Sequence, residues 1–263
     1  MLVRKFSVGV LAAVAVLSGG AAQAAVVLTT PVYFQNFDTL ANTGTSSVLP
    51  GGFEILERGT AANTLYTAGT GSGTTGDTYS FGASGSTDRA LGGLQSNALN
   101  PLFGIQFTNL LGRTISAFNI SFVGEQYRLG AQNRVDRLAF EYSLNATGLN
   151  TGTFIPLTAL DFVAPTTRGT VGALDGNASA NQRAISGTIA GLELLQGQSI
   201  FLRFVDFNPA GSDDGLAIDN FRAEAITLGA VPEPSTWMML IAGFGFIGAA
   251  LRGRRVKGKS VLA

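Results

Sequence analysis

Oxygen ligands are the main chemical resource of this chain, and they gather late in it. Its 263 residues include no histidine and no cysteine. That removes nucleophilic triads built on an imidazole base, and with them the usual nitrogen and sulfur ligands of zinc. Carboxylates remain. Asp175-Gly176-Asn177 is followed by Asp206-Phe207-Asn208 and then by Gly211-Ser-Asp-Asp-Gly-Leu-Ala-Ile-Asp-Asn220. Closely spaced Asp, Asn and Gly make tight turns with carboxylates facing inward, which suits Ca²⁺, a hard ion that takes about six to eight oxygens. The same residues also initiate turns without any metal, and that is the reading for Asp175 and Asn177. Asp219 differs. It lies between Ile218 and Asn220 inside an expected strand, where an unpaired buried carboxylate is costly. It must face water, meet a cation, or meet an arginine such as Arg222 or Arg89.

Carboxylates could also hydrolyse a glycosidic bond in pairs, but no Asp or Glu here sits in a recognisable glycosidase context. The chain is therefore read as non-catalytic. The alternative is a carboxylate-dependent hydrolase, or a hydrolase accessory module, acting on extracellular polysaccharide. Between residues 25 and 230 there are ten arginines, no lysine and sixteen carboxylates, a net charge of −6. Such an acidic body argues against nucleic acid as a partner, since phosphate binding needs a basic surface. Tyr33, Tyr66, Tyr79 and Tyr127 could stack on sugar rings, although aromatic residues in strands more often pack in a core.

The elements that must position these groups are strands. Val32–Asp38 and Phe53–Arg58 are rich in aromatic and β-branched residues. Phe103–Phe107, Thr114–Val123, Arg137–Leu144, Ile200–Phe204 and Leu216–Leu228 follow, most of them with period-2 alternation. Phe118, Ile120 and Phe122 share one face, as do Leu138, Phe140, Tyr142 and Leu144, and as do Ile200, Leu202 and Phe204. Thr60–Ser86, rich in Thr, Gly and Ser, reads as long loops around a short strand at Tyr79–Phe81. The one helix-like stretch is Gly191–Gln196. The pattern predicts an all-β, two-sheet antiparallel sandwich. With no cysteine, its own core must hold it.

Two apolar ends stand apart from this body. At the N-terminus, Arg4 and Lys5 precede an apolar run from Phe6 to Leu17 and then Ala22-Gln23-Ala24. That is the layout of a secretory signal peptide over 1–24, cut after Ala24. The body then spans 25–230. The segment 231–263 opens with Pro232-Glu233-Pro234, which is stiff and expected to stay outside helix and sheet interior. Trp237–Leu251 carries no charge, and Arg252, Arg254, Arg255, Lys257 and Lys259 close the chain. A transmembrane helix is expected over 237–251, with the basic end on the cytoplasmic side. At about 1.5 Å per residue it spans roughly 22 Å, short of the roughly 30 Å hydrocarbon core.

Pro232, Glu233, Pro234, Trp237, Gly243, Gly245, Arg252, Arg254 and Arg255 resemble, nearly position by position, the PEP-CTERM sorting signal of Gram-negative bacteria. The resemblance implies export through the inner membrane, a membrane-anchored intermediate, and recognition by an exosortase that cleaves near Pro-Glu-Pro. It further implies release to the cell surface or an exopolysaccharide matrix. A second, looser resemblance, over Phe140-Glu-Tyr-Ser-Leu144, Leu160-Asp-Phe162, Leu174-Asp-Gly-Asn177, Leu202-Arg-Phe-Val-Asp206 and Gly215-Leu-Ala-Ile-Asp-Asn220, is to a β-sandwich module often found in bacterial exported proteins. The last of these segments, around Ile218-Asp219, resembles the closing strand of jelly-roll carbohydrate-binding and lectin-like modules. There an Ile-Asp pair of the closing strand meets an acidic residue of the first strand around a structural Ca²⁺. The implied ligands here are Asp219 and Asp38, with Asp214 as a third candidate.

Overall fold

The computed structural model describes residues 25–229 and 234–256. The signal peptide expected over 1–24, Pro232 and Glu233 of the sorting motif, and the tail beyond 256 lie outside the described residues. So do the side chains of Pro234, Trp237, Arg254 and Arg255.

Alternating apolar residues produce two sheets. In spatial order the first runs Val26–Leu28, Asn100–Asn109, Ser199–Asp206, Arg137–Ser143 and Ile155–Pro156. Phe53–Arg58 also pairs with Asn100–Asn109, and Phe162–Val163 with Arg137–Ser143. The second runs Gly172–Ala173, Ile115–Leu129, Gly215–Thr227, Ala90–Leu94, Asp77–Phe81, Tyr66–Gly69 and Thr45–Ser46. Gln182–Leu194 lies against Ile115–Leu129, and Val32–Gln35 against Gly215–Thr227. The apolar faces meet in one core, with Phe103, Phe140, Leu202 and Phe204 from the first sheet and Phe118, Phe122, Ile218 and Phe221 from the second. Phe204 is its hub, with ring centroids of Phe103, Phe122 and Phe140 each 5.2 Å away. Offset and edge-on aromatic contacts of this kind add about 1 kcal/mol each beyond area burial.

The architecture is the expected all-β sandwich, but its sheets are mixed rather than purely antiparallel. Val26–Leu28 runs parallel to Phe107–Asn109, and Tyr66–Gly69 parallel to Asp77–Phe81. The second pair requires the chain to return between its strands within Thr70–Gly76. Gly71 turns this corner at φ +79°, pressed so close that a Cβ there would lie 1.8 Å from the Tyr127 carbonyl oxygen.

Other expectations need correction. Thr60–Ser86 holds two strands, Tyr66–Gly69 and Asp77–Phe81, with Ala90–Leu94 beyond it. Gly191–Gln196 is no helix: the strand Gln182–Leu194 runs through Gly191, with a register shift between Ala190 and Leu194 and φ +71° at Gly191. Leu144 is 51% exposed, because its strand ends at Ser143.

A separate unit begins at Thr227. Its helix spans Pro234–Val256, so it starts within the Pro-Glu-Pro motif and runs on through Arg252, Arg254 and Arg255. Proline is tolerated at a first helical position, where its missing N–H has no intrahelical acceptor anyway. The expected transmembrane helix over 237–251 is not supported. Among the described residues no helix is long and apolar enough to cross a membrane. The uncharged stretch stops at Arg252, after roughly 22 Å of helix, and Gly243, Gly245 and Gly248 dilute it further.

Candidate functional site

Val32–Gln35 pairs antiparallel with the closing strand, Gln35 opposite Phe221. Asp38 follows three residues beyond Gln35, is exposed, and accepts from the Asn36 side-chain amide. Asp219 is 5% exposed. One carboxylate oxygen, Oδ2, accepts from the Asn220 side chain at 2.7 Å, while Oδ1 is buried without a partner. Burial lifts its pKa to about 7, and the charges of Glu125, Asp88 and Asp38 push the same way. Glu125, also buried, accepts from the Tyr127 hydroxyl at 2.7 Å and is likewise raised to about 7 by burial. Neither rival arginine is among the partners of Asp219. Arg222 pairs with Glu224 at 2.8 Å. Arg89 is fully buried and donates to Ser80 Oγ and to the carbonyls of Ser80, Ala83 and Gly69. Phe37 and Asn220, next in sequence to the two aspartates, both have positive φ.

Asp214 is placed elsewhere. Its carboxylate takes the Gly130 N–H at 2.7 Å, the Gln126 side-chain amide at 2.8 Å and the Arg134 guanidinium at 3.0 Å. Arg134 also reaches Asp136 at 3.3 Å and Asp213 at 3.4 Å. Asp175 and Asn177 form the expected turn, Asn177 N–H donating to Asp175 Oδ1 at 3.1 Å, and the Asn177 amide bonds Asp88. Among the described residues no three Asp or Glu side chains stand close enough together to hold a metal ion between them. A cation at Asp219 would thus draw on backbone and water oxygens besides the carboxylates.

The tyrosines serve the core. Tyr66 is fully buried, and its hydroxyl donates to the Val48 carbonyl. Tyr33 packs edge-on against Phe107 and bonds Gly51. Tyr79 and Tyr127 stack on either face of Phe81, at 4.9 and 5.1 Å.

Sequence reasoning missed the concave surface of the molecule. Two cavities, of about 260 and 190 Å³, share Leu94 and Arg128 in their walls. The larger is bounded by Gly69–Gly73, Thr67, Tyr79 and Phe81, the smaller by Thr74, Gln95–Asn97, Asn208 and Gly211–Asp213. Arg128 is buried between them and donates to the carbonyls of Gly71 and Ser72 at 3.0 and 3.4 Å, fixing the glycine-rich return. Hydroxyls and amides predominate in the smaller cavity, whereas the larger presents mostly apolar surface, with Tyr79, Phe81 and Leu94 beside the threonine and serine hydroxyls. Such a lining hydrogen-bonds a polyhydroxylated ligand, and the Tyr79 ring adds an apolar face. The one signal in the sequence was the Gly, Ser and Thr run itself.

With this geometry in place, the molecule is an all-β sandwich carrying a short groove of mixed polarity and a separate C-terminal helix. The PEP-CTERM protein-sorting motif matches residues 230–255, which implies export and processing by an exosortase. No curated protein matches the chain. Among solved structures, the xylan-binding CBM22-1 domain of Paenibacillus barcinonensis Xyn10C is 11% identical, covering 75% of this chain and 95% of its own, with TM-score 0.35. The K3 cleaved adhesin domain of Lys-gingipain from Porphyromonas gingivalis W83 is 12% identical, covering 74% and 91%, with TM-score 0.34. TmCBM61, solved in complex with β-1,4-galactotriose, is 11% identical, covering 54% and 74%, with TM-score 0.30. Superpositions this loose do not bear on what this chain binds.

Proposed function

We propose that this protein is a non-catalytic component of the cell surface or extracellular matrix that binds exopolysaccharide through the groove around Arg128. The observation that carries the reading is that groove, with hydroxyls and amides around its smaller cavity and Tyr79, Phe81 and Leu94 among the walls of its larger one, on a chain with an export and sorting signal. Its net charge of −6 between residues 25 and 230 suits a neutral or cationic glycan better than a polyanion. We further propose one structural Ca²⁺ at Asp219 and Asp38. The buried, partnerless Asp219 Oδ1 fits a hard cation and is costly without one.

A carboxylate hydrolase is the weaker reading. The neighbouring Glu57 and Asp77 could have formed a catalytic pair, but Glu57 is committed to structure. Its two oxygens accept from Thr78 N–H and Oγ and from Asn63 N–H and Nδ2, at 2.8 to 2.9 Å. A glycan array probed with the purified chain, with and without EDTA, tests the proposal alongside an assay for new reducing ends. Binding without turnover is expected. Release of reducing ends, or no glycan retained, would overturn it.

A further inference from the structure

The strand Gln182–Leu194 pairs with Ile115–Leu129 along one side, and among the described residues no strand pairs with its other side. Its ladder is regular from Gln182 to Ala190, where the register shift at Gly191 ends it. Other strands with a single partner are short, as Thr45–Ser46 and Val32–Gln35 are, or carry charge or proline, as Phe53–Arg58 and Ile155–Pro156 do. Natural sheets blunt their open edges in these ways. Gln182–Leu194 does not: between Arg183 and Glu193 it has no charge and no proline. The Gln126 N–H bonds the Asn181 carbonyl at 2.9 Å, which sets the alternation of the antiparallel ladder. Odd-numbered residues from Arg183 to Ile189 therefore bond Ile115–Leu129. The N–H and carbonyl groups of Ala184, Ser186, Thr188 and Ala190 point to the open edge, and their side chains are exposed.

This edge matches itself. Ala184-Ile-Ser-Gly-Thr-Ile-Ala190 is a chemical palindrome about Gly187. Run antiparallel to a second copy about a twofold axis at Gly187, the strand sets Ile185 opposite Ile189, Ser186 opposite Thr188 and Ala184 opposite Ala190, each pair twice. Apolar side chains meet on the core side, where Ile185 and Ile189 already pack, and hydroxyls meet on the solvent side. Charge agrees as well. Arg183 of one copy falls opposite Gly191 of the other, two residues from its exposed Glu193, and no like charges oppose. On a body of net charge −6, an uncharged edge is also where a second copy meets least repulsion. We propose that this edge joins two copies of the chain, strand to strand, in a twofold dimer whose sheet continues across both. Isologous pairing consumes both open edges, so the assembly closes at two copies.

The test is sedimentation velocity on the full chain. A monomer–dimer equilibrium is expected within about 1–100 µM, in keeping with a ladder of modest area. Ser186→Pro removes an N–H aimed at the partner and none that bonds Ile115–Leu129, so it should weaken dimerisation by at least about tenfold and leave the circular dichroism unchanged. The chain has no cysteine, which permits a register test that decides the matter if that variant does not fold. Chains carrying Ser186→Cys, mixed with chains carrying Thr188→Cys, should form the mixed disulfide under mild oxidation, in preference to a mixture of Ala184→Cys and Thr188→Cys. A chain monomeric throughout that range, an open-ended polymer, a dimer that folded Ser186→Pro leaves intact, or cysteine links without that preference would each overturn the proposal. Neither glycan nor calcium binding is read, so failure of either reading leaves the result intact.

Discussion

Phe37 and Asn220, each next in sequence to one aspartate of the proposed Ca²⁺ site, both take left-handed backbone, at φ 57° and 50°. Among the described residues the only other non-glycine position with positive φ is Asn133. Asparagine visits this region at small cost, but a bulky phenylalanine does not, and Phe37 is fully buried against Phe53 at 4.8 Å. Packing holds Phe37 in this state, and the strain falls next to Asp38.

Replacing Asn220 should therefore separate strain from bonding. Asn220→Gly loses the 2.7 Å bond to Asp219 but relieves the backbone, and should change stability by less than about 1 kcal/mol. Asn220→Val loses the bond and keeps the strain, and should cost about 2 kcal/mol or more in urea unfolding. Equal losses in the two variants would contradict this account.

Calcium should stabilise the fold. The melting temperature should fall in EDTA and recover with Ca²⁺ but not with Mg²⁺, which dehydrates reluctantly. At a hundredfold excess over the dissociation constant, one site contributes about 2.7 kcal/mol. Asp219→Asn should remove that part of the response assigned to the Asp38–Asp219 site. A variant with the full wild-type response would exclude Asp219 as a ligand.

Without metal, acid should stabilise the protein. Asp219, Glu125 and Asp213 have folded pKa values raised to about 7, above those of the unfolded chain. The folded state thus binds more protons between about pH 4 and 7, and stability declines as pH rises through that window. In EDTA the melting temperature should be several degrees higher at pH 5 than at pH 8. Ca²⁺ should flatten the profile, and a profile rising toward pH 8 would contradict the burial argument.

The core should be least forgiving where backbone meets backbone. A Cβ at Gly92 would lie 2.0 Å from the Leu216 carbonyl oxygen, so Gly92→Ala should cost several kcal/mol or prevent folding. Phe204→Ala, which empties the aromatic hub, should cost about 3–5 kcal/mol. Gly51→Ala, with nothing within 4 Å of its Cβ, is the control and should be nearly neutral by chemical denaturation.

Sorting should depend on the terminal motif. Intact-mass analysis of the surface form should show the chain ending near Pro232-Glu233-Pro234. Replacing these three residues by alanine should leave 234–263 attached. A wild-type surface form that still carries Trp237 would refute processing there.

The sequence by itself determined the sorting motif, because that signal is a contiguous string read in one dimension. It also determined the strands whose faces alternate, such as Phe118, Ile120 and Phe122, because period 2 is a local property. It could not show Ala90–Leu94 as a strand. Gly92 and Gly93 carry no side chain to alternate, and they are glycine because Leu216, on a strand far along the chain, and Pro101, on the next strand, press against them. The same reason governs the site. The early strand Val32–Gln35 does pair with the closing strand that carries Asp219, and that pairing was legible in the sequence. Asp214, only five residues earlier, turns instead to Arg134, a partner eighty residues away. The groove at Arg128 joins Gly69–Gly73, Gln95–Asn97 and Gly211–Asp213, segments that strand pairing alone brings together. Which carboxylate meets which cation is decided by those long-range pairings, and burial then makes the choice costly to change.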